Sequence, residues 1–294
     1  MNRKILHVYA KDESGKFIHV NNAVKGIKYY CADPECKKEI IFRSSGKTGK
    51  GSRRPHYSHK KGTNPNCSPE RSLHEGFKNE LVGLLEKYRV ENKPFIFNWT
   101  CGACNCKNSG NLLEKAKLLK AEYNLGECQP DIALLDKEEN VLAVIEIVNT
   151  HPPEEKVLQY YKNKNITLIQ IDLTSDEDSN RVEDKTKNPD SVDFCISPEC
   201  QNNNKYKINR RIVCRQHRCS RCFSAILKFE IEITSVFGTK SSRGFKDDEI
   251  NLIESKYKNI VRIEGRSDQG IKEKYPVMEC IRCKRMRSSR RERL

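Results

Sequence analysis

Residues 130–148 read PDIALLDKEENVLAVIEIV. Two apolar runs, IALL and VLAVIEIV, flank the polar DKEEN, the pattern of two adjacent strands joined by a short turn. Asp131 opens the first strand and Glu146 stands near the end of the second. Antiparallel pairing through the turn would bring both carboxylates to the same end of a sheet. A glutamate inside so apolar a strand is hard to bury without a partner or a metal. Two acids there suit a hard divalent cation, because they offer oxygen ligands and leave positions open for water and a phosphate.

Working outward, EEKVLQYYKNK predicts a helix that opens with Pro152 and Pro153, and ITLIQIDL a buried strand. Strand, helix and apolar strand in succession are the βαβ grammar of an α/β domain. Upstream, Leu73, Phe77, Leu81, Leu84, Leu85 and Tyr88 recur at the helical period and make one apolar stripe, with Ser72 as the expected N-cap. FIFNWT reads as a strand. KAKLLKAEY fits a helix by propensity or a strand by alternation; strand is preferred, since CxxC knuckles commonly sit between paired strands. Downstream, TSDEDSNRVEDKTKNPDS reads as a polar linker.

The fourteen cysteines fall in clusters. Cys31 and Cys36, then His56 and His59 in HYSH, supply two short-spaced pairs of the kind a tetrahedral Zn2+ site needs, with Cys67 a little later. EIIFR between the pairs reads as a strand, and the segment SSGKTGKGSRRP after it as a flexible basic loop. GKTGKGS lacks the order and the strand-to-helix setting of a phosphate loop. Cys101 and Cys104 form a second knuckle. Cys219 and Cys222 with Cys280 and Cys283 bracket a third metal-binding group near the C-terminus.

Charged residues make up 32% of the chain and apolar residues 36%, a lean core for 294 residues, so metal is expected to help hold the fold. The net charge of +15 points to a polyanionic partner, because Lys and Arg gain free energy by releasing phosphate counterions. The N-terminus has no apolar secretory core and no stretch is long enough to span a bilayer, so no membrane association and a cytoplasmic location are expected. In a reducing compartment, clustered cysteines favour metal over disulfides.

Pro130–Asp131 followed by Glu146, Ile147 and Val148 resembles the PD-(D/E)xK nuclease superfamily. With Cys31/Cys36, HYSH, and SLHEGFKNEL carrying His74 and Lys78, residues 25–172 resemble the competence protein CoiA family. The resemblance implies an α/β, restriction-endonuclease-like core whose mixed sheet is flanked by helices, with small zinc modules at both ends. The expected organisation is a zinc-binding β module over 1–68, the nuclease-like core over 69–173, a linker over 174–193 and a cysteine-rich zinc domain with a basic tail over 194–294. The implied activity is metal-dependent cleavage of DNA. Asp131, Glu146 and the Ile147 carbonyl would hold Mg2+ or Mn2+, Lys78 would assist the water or phosphate, and His74 would orient. The superfamily's usual lysine position is Val148 here. Lys78 is therefore the first candidate, since His74 and Lys78 share a helix face, with Lys120 and Lys156 in reserve. Glu75, Glu122 and His151 are further candidates to line the site. The alternative is a non-catalytic, zinc-containing nucleic-acid-binding protein accessory to competence or recombination.

Overall fold

The computed structural model describes residues 5–48, 51–61, 66–149, 151–195, 200, 209–219, 221–242, 245–257, 261–268, 271–279 and 286–287. The chain is mixed α/β and divides into two compact units, residues 1–194 and 195–294. Among the described residues no helix is long and apolar enough to cross a membrane.

The first unit begins with short strands β1 (Tyr9–Lys11), β2 (Phe17–His19), β3 (Tyr29–Cys31) and β4 (Glu39–Arg43). A hairpin follows, β5 (Gly46–Thr48) with β6 (Gly51–Arg53), and then β7 (His56–His59). The sheet order is β2-β1-β3-β4-β7. The expected flexible basic loop is thus a paired hairpin, with Gly46 opposite Arg53.

Helix α1 (Pro69–Val90) begins earlier than its apolar stripe. Its N-cap is Ser68, not Ser72: the Ser68 hydroxyl accepts from the Arg71 N–H at 3.0 Å, and Pro69 takes the first helical position, where its missing N–H costs nothing. Ser72 is buried within the first turns. The stripe residues Leu73, Phe77, Leu81 and Leu85 are fully buried. Against the N-terminal sheet the contact is closer still. A Cβ added at Gly76 would stand 2.0 Å from Cγ of Tyr9, so the tyrosine ring lies directly on the helix backbone. Its hydroxyl donates to Glu80 at 2.7 Å.

The hairpin β8 (Ile96–Thr100) with β9 (Lys107–Asn111) follows, and then β10 (Leu118–Ala121), β11 (Ile132–Leu135) and β12 (Val141–Val148). Helix α2 (Glu155–Lys164) crosses to β13 (Thr167–Asp172), and the unit closes with α3 (Val182–Lys187) and β14 (Ser191–Val192). The sheet order is β10-β11-β12-β13-β14. KAKLLKAEY contributes a strand, as the alternation suggested. β11 and β12 pair antiparallel, with Ile132 opposite Ile145, while β12 and β13 pair parallel across α2, with Glu146 beside Gln170. Ala133, Leu135, Val144 and Leu168 pack with Tyr161 of α2, while Ile132, Leu134 and Ile145 are also buried. Both faces are therefore covered, which is why these strands read as continuous apolar runs.

The segment expected as a linker, 174–193, is folded. It carries a 3-10 turn (Asp176–Arg181), α3 and β14. Its polarity is turned inward: the buried Asp178 carboxylate accepts from the N–H groups of Thr174 (2.8 Å) and Ser175 (3.0 Å). Buried Asp176 takes a 2.9 Å ion pair from Arg54.

In the second unit, β15 (Asn209–Arg218), β16 (Ala225–Ser235) and β17 (Gly238–Ser242) form one antiparallel sheet. After α4 (Asp247–Lys256), β18 (Val261–Asp268), β19 (Ile271–Glu279) and β20 (Met286–Arg287) form another. Phe229 and Ile253 centre a small core beneath α4.

Candidate metal centre and candidate active site

The metal centre starts from β3, which ends at Cys31. The following turn is tied by the Cys36 N–H donating to the Asp33 carbonyl at 3.0 Å. His59 ends β7 and Cys67 precedes the N-cap of α1. The donor atoms of Cys31, Cys36, His59 and Cys67 all lie within 4.8 Å of one another. Zinc bonds of about 2.3 Å to sulfur and about 2.05 Å to nitrogen give a tetrahedron with edges of about 3.8 Å (S···S) and about 3.6 Å (S···N). The observed separations are 3.8 Å for Cys31 to Cys67, 3.3 Å for Cys36 to His59 and 3.7 Å for Cys67 to His59. The set fits a metal ion such as zinc. Burial pushes the Cys31 and Cys67 thiols up, and a bound cation would hold them as thiolates instead.

One expected ligand is displaced. His56 stands three residues from His59 on a single strand, and side chains an odd number apart point to opposite faces. Its Nδ1 meets the Arg54 carbonyl at 2.9 Å, and Cys67 takes its place in the cluster. Supporting contacts tie the cluster to α1. The Ser72 hydroxyl lies 3.7 Å from the Cys31 sulfur and 3.0 Å from Nδ1 of His7. Asp33, fully buried, accepts from the Ser68 N–H (3.1 Å) and from Arg71 (2.9 Å).

The other cysteines form shorter pairs. Cys101 and Cys104, at the turn between β8 and β9, have thiols within 4.8 Å of each other, as do Cys195 and Cys200 at the start of the second unit. Each pair is half of a tetrahedral set. Cys219 and Cys222 flank the turn from β15 to β16. Cys280 and Cys283 lie outside the described residues, as does the basic tail apart from Met286 and Arg287.

The carboxylate site is built at the end of the β11–β12 ladder. Continuing the register from Ile132 and Ile145 sets Asp131 opposite Glu146. The Ile147 N–H donates to Oδ2 of Asp131 at 2.8 Å, and Nε2 of His74 lies 3.1 Å from the same oxygen. Lys78, one helical turn beyond His74, is buried. Its Nζ stands 2.8 Å from Glu75, 2.6 Å from Glu122 and 3.9 Å from Oδ1 of Asp131. Glu146 accepts a 2.6 Å hydrogen bond from the Tyr161 hydroxyl, because Val144 and Glu146 share the sheet face that α2 covers.

The charges are unequally satisfied. Burial, opposed by the Tyr161 hydrogen bond and reinforced by Asp131, pushes Glu146 up to about 7. Burial disfavours the His74 imidazolium, but hydrogen bonds to Asp131 and Glu75 outweigh it and raise His74 to about 9. Burial would raise Glu75, yet His74 and Lys78 hold it down to about 2. Lys78 is likewise raised, burial being outweighed by Glu122 and Glu75. Beside these groups opens a cleft of about 320 Å³ lined by His74, Asp131, Glu146, Gln129, His151 and Tyr161, among others.

The structure therefore brings together Asp131, Glu146, Ile147, His74 and Lys78, with Glu75 and Glu122 around the lysine. The reserve lysines lie elsewhere: Lys120 is paired with Glu139 at 2.7 Å and Lys156 with Glu154 at 2.8 Å. Tyr161 was not singled out from the sequence. Its signal was available, since a crossover helix packs on the sheet and an aromatic with a polar tip beside a buried glutamate is a natural partner. Comparison of the chain with protein-family models, with curated proteins and with solved structures finds no match.

Proposed function

We propose that the chain is a metal-dependent nuclease that cleaves DNA phosphodiester bonds, with a nuclease-like core of the PD-(D/E)xK kind and structural zinc. The observation that carries the reading is the juxtaposition of Asp131 and Glu146 at one end of an antiparallel ladder, beside an open cleft and a buried lysine. Glu146, neutral at the usual carboxylate range because it is buried, is short of a positive partner. Asp131, Glu146 and the Ile147 carbonyl would hold Mg2+ or Mn2+. Bound there, the cation supplies a Lewis acid that polarises the phosphodiester and acidifies its water.

The chain's own groups do the rest. The Ile147 N–H and His74 fix the Asp131 carboxylate in one orientation, leaving Oδ1 toward Lys78. Lys78, held charged by Glu75 and Glu122, stabilises negative charge that develops on the phosphate oxygens. Tyr161 holds one oxygen of Glu146 and leaves the other for the cation. Lys78 thus supplies from α1 the cation that Val148 does not.

A second reading rests on the same Val148 and on the carboxylates already surrounding Lys78: a zinc-containing nucleic-acid-binding protein without cleavage, acting in competence or recombination. Cleavage of single- and double-stranded DNA with Mg2+ and with Mn2+ decides between them. Asp131→Asn and Glu146→Gln should each lower the rate at least about a hundredfold, the scale for lost transition-state charge stabilisation. Full cleavage by both variants overturns the nuclease reading, and DNA binding without cleavage by the wild type favours the second.

A further inference from the structure

The net charge of +15 is unevenly distributed. Within the first unit, residues 1–68 hold 15 Lys and Arg against five Asp and Glu, a net of +10. Residues 69–194 hold 16 against 23, a net of −7. A polyanion is therefore drawn to the N-terminal strands and repelled, on balance, by the segment that carries the carboxylate site. Residues 14–32 hold three lysines and no acid.

One loop in that stretch joins charge to exposed apolar surface. Val24-Lys25-Gly26-Ile27-Lys28 leads from the 3-10 turn after β2 into β3, and all five residues are exposed. Val24 is 57% exposed and Ile27 49%, although valine and isoleucine are among the residue types most often buried. Among the described residues neither Lys25 nor Lys28 has a carboxylate partner. β3 runs from Tyr29 to Cys31, so the loop leaves the sheet at the end away from the soft-donor cluster.

The loop is held at both feet. Upstream, Nδ2 of Asn21 donates to Oδ1 of Asn180 at 2.7 Å. Downstream, the hydroxyl of buried Tyr29 accepts from the Val24 N–H at 2.8 Å and donates to the Val24 carbonyl at 3.2 Å. At the tip Gly26 has a φ of +87°, and a Cβ added there would meet nothing within 4 Å. Backbone conformation rather than packing therefore calls for glycine at this turn. An apolar pair presented on a fastened loop, beside uncompensated cations, suits a surface whose partner covers it.

We infer that this loop is a wedge for duplex DNA, with Val24 and Ile27 entering the minor groove between base steps and Lys25 and Lys28 meeting neighbouring phosphates. Aliphatic side chains can part stacked base pairs and bury themselves between them. They offer no flat ring on which an unpaired base could stack, which is what single-strand platforms supply. Two apolar side chains are a small anchor for a bilayer, where interfacial binding grows with the apolar area buried. The inference rests on DNA as the partner, which both readings above share, and not on cleavage.

The test is equilibrium binding of the full chain to a labelled duplex and to oligo(dT) of equal length, without Mg2+ or Mn2+ so that no cleavage intervenes. Joint Val24→Ser and Ile27→Ser should weaken duplex binding about tenfold, leave the salt slope unchanged and barely affect oligo(dT). Joint Val24→Leu and Ile27→Leu should retain affinity. Joint Lys25→Gln and Lys28→Gln should lower the salt slope by about two. A duplex with a fluorophore at each end should bring its ends closer when the wild type binds, and not when the Val24→Ser, Ile27→Ser variant does, because an inserted wedge kinks the helix. Wild-type duplex affinity in that variant overturns the inference, as does a bound duplex that stays straight. Equal weakening for duplex and oligo(dT) overturns it too. So does binding to phosphatidylserine vesicles that is tighter than to the duplex and depends on Val24 and Ile27. Cleavage at Asp131 and Glu146 would survive any of these results, and a chain that bends DNA without cleaving it would keep the wedge.

Discussion

Cys67 stands two residues before α1 begins, and His74 and Lys78 project from its second and third turns. The soft-donor cluster and the carboxylate site thus hang on one helix, about 15 Å apart along its axis at 1.5 Å per residue. Their construction differs in kind. The first has four donors at tetrahedral spacing, which leaves no position for a substrate. The second has two register-opposed carboxylates, an adjoining cleft, and one acid that burial raises to about 7. A complete donor set suits structural support, whereas an incomplete one keeps room for a further ligand.

Removing the soft metal should have the largest effect. Chelation, or Cys67→Ala, is expected to destabilise residues 5–67 and the start of α1 by several kcal/mol; structural zinc sites contribute on the order of 10 kcal/mol in small domains. Thermal melting with and without a zinc chelator measures it, and an unchanged melting temperature would break the contrast. Next comes the helix itself. Gly76→Ala should cost about 3 kcal/mol, because the new methyl meets the root of the Tyr9 ring rather than a flexible tip. Gly83→Ala on the same helix meets nothing within 4 Å and should stabilise by about 0.5–1 kcal/mol. Denaturant midpoints that move in the same direction would show that α1 is not clamped to β1.

A smaller effect separates two buried carboxylates. Asp178 is disfavoured by burial, yet the Ser175 and Thr174 N–H groups and Arg181 hold it below its usual range. It stabilises the fold above the unfolded Asp pKa, and that contribution is lost as the pH falls through its folded value. Glu146 behaves oppositely. Raised to about 7, it binds a proton more readily folded than unfolded, so its contribution declines as the pH rises from about 4.5 through about 7. Without divalent cation, Glu146→Gln should be more stable than the wild type at pH 8, by on the order of 2 kcal/mol. The difference should vanish below about pH 4. A constant difference across this range would mean that the site is already satisfied. The smallest effect is expected of His56→Ala: melting temperature and zinc content should stay within error of wild type, with at most about 0.5 kcal/mol lost.

Much of this was legible because period and burial leave marks in sequence. IALL and VLAVIEIV read as two adjacent strands, and the helix and strand after them read as a crossover. Inside α1, the position of Lys78 relative to His74 followed from helical spacing alone. Other features were hidden for physical reasons. Composition cannot distinguish a solvated aspartate from one buried against backbone N–H groups, so 174–193 looked like a linker although Asp178 is fully buried. His56 and His59 looked like a ligand pair by proximity in sequence. On a strand, a separation of three divides them between faces, and only the fold shows that Cys67 lies nearer. The N-cap was misplaced because the apolar stripe starts later than the helix does.

The contacts between α1 and the N-terminal strands also bear on the order of assembly. The His7–Ser72 and Tyr9–Glu80 hydrogen bonds join residues 65 and 71 apart in the chain. Closing such loops costs entropy that grows with the logarithm of their length, and these contacts return nothing until both ends meet. A metal that first joins Cys31 to Cys67 cuts the free path from His7 to Ser72 to roughly 30 residues. Refolding from denaturant should then be faster with zinc in the buffer, and the gain should appear in the phase that seats Tyr9 over Gly76.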